Sequence, residues 1–272
     1  MNIEGYITRL REFPEFDSRE GATLLEFSYA GAAEERLVFL RGAYGIAPAT
    51  SSVDLLPQAL DSMSWVFGQF RHTGSAVDIP ATNALDILAR ADEGTFDCTH
   101  KAVVLNEVLL ARGLPSRVIT CIPQHFDMDR HVAVIVFAAE QNKWVFLDPT
   151  FNTYFPDGQA GALGPIEIRD AYRQGRNPSF AEIPIDKQWT LALAGKEYDS
   201  YQDWYTTYMA KNCFRFSSPT VSSFGSSGSS ATQMAFLNPT GYCHRNEYDD
   251  LGARHRPNVY THSTSDFLCP PA

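Results

Sequence analysis

Between Asp97 and Asp148 the apolar pattern changes period once, from helical to extended, and nothing else in the chain constrains its fold so tightly. The first part reads as a helix over Asp97–Arg112. Thr95 or Asp97 can cap its start, Ala102, Leu105, Val108 and Leu109 recur at helical spacing, and Gly113 and Pro115 stop it. The second part reads as three strands rich in Val, Ile and Phe: Ser116–Ile122, His131–Ala138 and Lys143–Leu147. The polar stretch Ala139–Asn142 is short enough to turn the last two into an antiparallel hairpin. A helix followed by an antiparallel sheet predicts an α+β fold with that helix packed on the sheet.

The remaining chain adds elements around this centre. Helices are expected over Asp54–Phe70, with Ser52 or Asp54 as cap, and over Asn83–Arg90. Weak alternation from Leu24 to Leu40 around Gly31 predicts a hairpin, making residues 1–50 a β-rich segment of the same domain. Short helices around Ile166–Gln174 and Asp199–Lys211 complete a core spanning 51–215. Residues 216–230 are nearly all Ser, Gly, Pro and Thr, which predicts a flexible loop. The tail, 231–272, carries one weak apolar cluster, Met234–Leu237, and no assignable structure.

Composition excludes several functions. A net charge of -10 over 272 residues works against partners held by phosphates, so neither nucleic acid nor an anionic membrane surface is expected. Met1–Arg11 lacks the apolar run of a signal peptide, and no stretch approaches the roughly 18 apolar residues of a membrane span. The five cysteines are scattered and odd in number, and Asn177 and Asn238 are each followed by proline, which blocks glycosylation. A reduced, cytoplasmic setting fits these features.

Three residues sit where a thiol-dependent reaction needs them. Cys98 falls in the first turn of the best-marked helix, where unpaired N–H groups and the dipole favour a thiolate and can also donate to an oxyanion. His131 opens one strand of the hairpin and Asp148 closes the other. If Ala138 pairs with Lys143, Asp148 falls opposite Ala133, two residues from His131 on the same face. Such diagonal neighbours lie about 7–8 Å apart at Cα, within reach of a carboxylate–imidazole bond. A slip of one residue would break the pair. Singly, each residue has a plainer use: a small core thiol, a polar strand start, a turn opener before Pro149. Together they form a nucleophile, a base and an orienting carboxylate. The other candidates are weaker. His100 points to another face of the helix, His125 reads as a loop residue, and Cys121 as core. Cys243, His244, His255, His262 and Cys269 match no zinc spacing, so no metal and no cofactor are expected.

The segments Gly94-Thr95-Phe96-Asp97-Cys98, Gly113-Leu114-Pro115-Ser116-Arg117, His131-Val132-Ala133-Val134 and Trp144-Val145-Phe146-Leu147-Asp148-Pro149-Thr150 resemble the transglutaminase-like superfamily of papain-like thiol enzymes. The helices upstream of the cysteine, around Trp65–His72 and Ala84–Leu88, are similar too, and the resemblance covers about Leu55–Phe155. It implies attack by Cys98 on a carboxamide or ester carbonyl, with His131 as base and then acid and Asp148 orienting the imidazole. The substrate would be a peptide or small amide or ester, with water or an amine as acceptor. Trp65 or His72 would be the upstream oxyanion donor. Two alternatives remain open: an arylamine N-acetyltransferase-like enzyme, although Glu93–Asp97 lacks the Arg-Gly-Gly segment before that family's cysteine, and a non-catalytic peptide-binding module of the same fold. Should Asp148 only open a turn, Asp127 or Asp129 would be next in line.

Overall fold

The computed structural model describes residues 2–17, 25–50, 55–72, 80–93, 96–125, 130–181, 198, 200–242 and 258–271. Its α-helices are α1 (Ile3–Glu12), α2 (Glu35–Tyr44), α3 (Leu55–Gln69), α4 (Ala84–Leu88), α5 (Cys98–Arg112), α6 (Pro165–Arg173), α7 (Tyr201–Asn212) and α8 (Thr264–Phe267). The strands are β1 (Ser28–Tyr29), β2 (Ser116–Ile122), β3 (His131–Ala138), β4 (Lys143–Asp148), β5 (Thr153–Tyr154), β6 (Arg215–Pro219), β7 (Val221–Ser222), β8 (Met234–Leu237) and β9 (Asn258–Thr261). Seven of them form one sheet in the order β5-β4-β3-β2-β6-β8-β9, antiparallel except for the β8–β9 pair. The fold class is α+β.

α5 is the axis of the molecule. Its residues are buried continuously from His100 to Ala111, as expected of a helix that is apolar nearly all round. One side packs on β2 and β3, the other against α2, α3 and α4. Its ends carry the expected signals. The Asp97 side chain accepts from the Thr99 and His100 N–H groups, and Gly113 closes the helix at φ 88°, a left-handed conformation that glycine adopts without strain.

The sheet divides the core in two. On the α5 side, Val132, Val134, Val136, Val145 and Leu147 pack with the apolar residues of α2–α5. On the other side, Ile119, Cys121, Ala133, Ile135, Trp144 and Phe146 meet α1, α6 and α7. The hairpin register matches the spacing argument: Ala138 pairs with Lys143 and Val134 with Leu147, so Asp148 takes the position opposite Ala133.

Two segments differ from the sequence expectation. Among the described residues, 1–50 is not β-rich and the stretch up to Leu40 contains no hairpin; α1 and α2 lie in this segment, and β1 is only two residues long, paired in parallel with β7. The apparent alternation arose because Val38 and Phe39 are exposed apolar residues (43% and 61%), whereas Leu37 and Leu40, at helical spacing, face the core. Residues 216–230 are not a loop between domains. β6 lies inside the sheet between β2 and β8, with Arg215 to Pro219 all buried. Small hydroxyls fit there: Ser218 Oγ donates to Val118 O (2.8 Å) and Ser222 Oγ to Ser116 O, while Ser217 Oγ is buried with no partner among the described residues. Gly228 (φ 60°) closes the segment against the Ala81 carbonyl, which any Cβ would strike. The tail adds β8, β9 and α8 to the same fold.

Candidate active site

Cys98 begins α5 and is half-buried, whereas Cys121 and Cys213 are buried. Its helix start is set by a reciprocal cap. Asp97 accepts from Thr99 N (2.9 Å) and His100 N (3.2 Å), and His100 Nδ1 lies 2.7 Å from Asp97 Oδ1. Burial pushes the Asp97 carboxyl up, but its bonds and attraction to His100 outweigh this and leave it lowered. His100 is thus occupied by the cap, in line with its exclusion as a base for Cys98. The cap also takes two of the first-turn N–H groups, so the Cys98 N–H is the donor left for an oxyanion at this helix end.

His131 and Asp148 come together as the register requires. His131 Nε2 lies 2.7 Å from Asp148 Oδ2, with both side chains buried. Cys98 is the next group acting on the ring after Asp148. With Nε2 held by the carboxylate, Nδ1 is the nitrogen left to face the thiol. Burial alone would lower the imidazole pKa, but the charge and hydrogen bond of Asp148, followed by those of Cys98, raise it to about 10. The arrangement therefore holds an imidazolium at neutral pH.

Asp148 uses both oxygens. Oδ1 accepts from Thr150 N (3.0 Å), while Oδ2 accepts from His131 and from the Tyr205 hydroxyl (2.8 Å). Opening the turn at Pro149 and holding His131 are thus two duties of one side chain. Aromatic rings enclose the pair: Tyr208 sits edge-on to His131 at 5.3 Å, and Phe151 lies 5.7 Å from it.

Of the two upstream aromatics, Trp65 packs edge-on against Tyr44 within the α3 layer. His72 lies at the site. Its backbone bridges Phe96, two residues before Cys98, and its ring lies 6.3 Å from Phe151. Burial and then the charge of His131 lower its pKa to about 4, against the pull of Asp97 and Asp148, so it is neutral above that pH. His125 is exposed and borders a cavity of about 10 Å³ with Tyr6, Leu10 and Lys211, room for about one water.

No cluster suited to a metal ion occurs among the described residues. His262 Nδ1 is 2.8 Å from Asn238 O, and the Cys269 carbonyl accepts from Trp144 Nε1; Cys243, His244 and His255, like Asp127 and Asp129, lie outside the described residues. Among those described, no helix is long and apolar enough to cross a membrane.

Tyr205, Tyr208 and Phe151 were not singled out by the sequence. The signal for the first two was the aromatic run Tyr201, Trp204, Tyr205, Tyr208 at helical spacing, which reads equally as core.

No protein-family model and no curated protein matches the chain. Among solved structures it is similar to a candidate cysteine protease from Cytophaga hutchinsonii, at 16% identity and a TM-score of 0.34. The match covers 64% of this chain and 59% of that one, less than two thirds of its length.

Proposed function

We propose that the protein is a cysteine-dependent acyl-transfer enzyme of the transglutaminase-like, papain-like kind, with Cys98 as nucleophile, His131 as base and acid, and Asp148 as orienting carboxylate. One observation carries the reading: a helix-initial, half-buried cysteine acts on a buried histidine whose Nε2 is held by a buried aspartate at 2.7 Å. That is the set of contacts that nucleophilic thiol chemistry uses.

In this reading Cys98 sulfur attacks the carbonyl carbon of a carboxamide or ester. Negative charge moves to the carbonyl oxygen, where the Cys98 N–H donates. For the second donor we assign His72, whose neutral ring carries an N–H but no charge to compete with the imidazolium beside it. The imidazolium of His131 then passes its proton to the departing amine or alcohol, leaving a thioester on Cys98. Water or an incoming amine gives its proton back to His131 as it attacks the thioester, which releases the acid or the new amide. Water as acceptor gives hydrolysis or deamidation, according to the group that left, and an amine gives transamidation. No metal or cofactor takes part in these steps.

The test incubates the protein with a library of glutamine- and asparagine-containing peptides, with and without a primary amine, and reads products by mass. Expected is a gain of about 1 Da for deamidation, cleavage, or an amine adduct, all absent in Cys98→Ala. Activity that survives Cys98→Ala overturns the assignment.

A further inference from the structure

Tyr205 sits in the middle of α7, and its hydroxyl is the second donor to the oxygen that holds His131. The O–H reaches Asp148 Oδ2 at 2.8 Å, beside His131 Nε2 at 2.7 Å on the same atom. Tyr205 and Asp148 are both fully buried, so water does not compete for the bond. The phenol ring is fixed on three sides: stacked on Phe155 (6.1 Å) and edge-on to Phe180 (4.9 Å) and Phe151 (5.3 Å). A ring so held, with one acceptor in reach, points its hydroxyl in one direction.

We propose that Tyr205 is a positioning residue of the Cys98–His131–Asp148 site, whose O–H fixes the plane of the Asp148 carboxylate and sets how firmly that carboxylate holds the His131 imidazolium. This inference rests on the proposed joint action of those three residues.

The physical argument has two parts. A carboxylate with one oxygen bound to Thr150 N and the other to a phenol cannot rotate, so Oδ2 stays in line with His131 Nε2. A phenol donating to Oδ2 also draws charge from that oxygen, and an oxygen so shared attracts an imidazolium less strongly. Without the phenol the whole charge of Oδ2 falls to His131, whose proton becomes harder to remove. The titratable groups facing this cluster are Cys98 from α5, Cys121 from β2, His72 from the segment after α3, Tyr172 from α6, and Tyr201 and Tyr208 from α7. Tyr205→Phe alters none of them, so a shift reports the lost hydroxyl.

The test is the rate of Cys98 carboxymethylation by iodoacetate between pH 5 and 11, read at the Cys98 peptide by mass. Iodoacetate is an anion, so an imidazolium beside the sulfur speeds it, and the rate falls where that proton is lost. In the unaltered protein the fall is expected near pH 10. In Tyr205→Phe it should move up by about half to one pH unit, the worth of one hydrogen bond. Replacing Tyr205 by 3-fluorotyrosine, nearly isosteric and a stronger donor, should move it down; this second protein carries the test if Tyr205→Phe does not fold. A fall that stays at the wild-type pH in the folded variants overturns the role of Tyr205 and leaves the Cys98–His131 pair standing. If the unaltered protein shows neither preferential labelling of Cys98 nor an alkaline fall, the pair and the inference fail together. A purely structural tyrosine lowers the melting temperature and leaves the alkaline limb in place.

Discussion

Asp148 shows at the scale of one residue how one carboxylate can both accept from a turn N–H and hold an imidazole. In Asp148→Asn the oxygen facing Thr150 N is kept, while an amide nitrogen replaces the oxygen that His131 and Tyr205 share. The turn survives and the counter-charge is lost. Turnover on any substrate that Cys98→Ala abolishes should drop by roughly two to four powers of ten. The pH dependence of stability should change with it. The His131 pKa is raised to about 10 from an ordinary 6.5, so its stabilising contribution is complete below pH 6.5 and lost as the pH climbs through 10. Melting temperatures measured from pH 6 to 10 should therefore decline in the unaltered protein and decline less in Asp148→Asn; parallel curves would refute the ion pair. His72→Ala separates the two halves of the mechanism. If His72 is the second oxyanion donor proposed above, its loss should lower turnover by about a hundredfold to a thousandfold, with iodoacetamide labelling of Cys98 unchanged. The meeting of His131 with Asp148 was legible because each sits at a strand boundary that turn and strand signals mark. Tyr205 was not, since it lies 57 residues from its partner and nothing local announces the contact.

At the scale of elements, what counts is how α5 is fastened to its neighbours. Lys101, one turn after Cys98, donates to Val66 O, Phe67 O and Phe70 O, closing the C-terminal end of α3 against the site helix. Glu107, further along, accepts from Ala84 N (2.8 Å) and Gly225 N (2.9 Å), tying α4 and the Ser/Gly-rich segment to α5. Burial raises the Glu107 carboxyl to about 8, with the two N–H groups pulling the other way. A raised carboxyl stabilises the fold fully below its unfolded value near 4.5 and loses that contribution as the pH rises through 8. Glu107→Gln sets an amide N–H against a backbone N–H, so it should cost about 1–3 kcal/mol at pH 5, with the gap narrowing toward pH 8. Thermal unfolding at both values measures it, and a gap that stays constant would show that Glu107 keeps its charge. The helices and strands from 55 to 148 were legible because periodicity, caps and stops agree there. β6 was not, because a composition rule counts apolar side chains and overlooks small hydroxyls such as that of Ser218, which bonds Val118 O across the sheet. For the same reason an insertion within Arg215–Pro219 should abolish folding, where a flexible loop would absorb it; solubility and circular dichroism of the insertion variant decide between the two.

On the scale of the whole molecule, the site lies where both layers meet at one end of the sheet. Cys98 packs with the α5-side core, while Asp148 is held by Tyr205 of the opposite core. Neither layer makes the site alone, and the described residues after 231 are part of the same sheet and core. β8 pairs with β6 along Phe216–Pro219, with Met234, Ala235, Phe236 and Leu237 buried. The Phe267 carbonyl accepts from Arg117, a fully buried guanidinium that Phe27, Trp144 and Phe267 cover with their rings. Sequence periodicity saw only Met234–Leu237 there, because a four-residue strand is too short to show its period and its partners are distant in the chain. Burying Met234, Phe236, Leu237 and Phe267 is worth about 1.5–3 kcal/mol each, together comparable with the roughly 5–15 kcal/mol that holds a domain folded. Deleting residues 231–272 should therefore remove more than a tail. It strips one edge of β6 of its hydrogen bonds and leaves Arg117 without its acceptor. The truncated chain should show no cooperative thermal transition, and its Cys98 should lose any preference over Cys121 and Cys213 for iodoacetamide, because the buried thiols become equally open. If the tail were an appendage, the truncated chain would melt near the full-length temperature and label at Cys98 first, and that result would refute the two-layer account of the site.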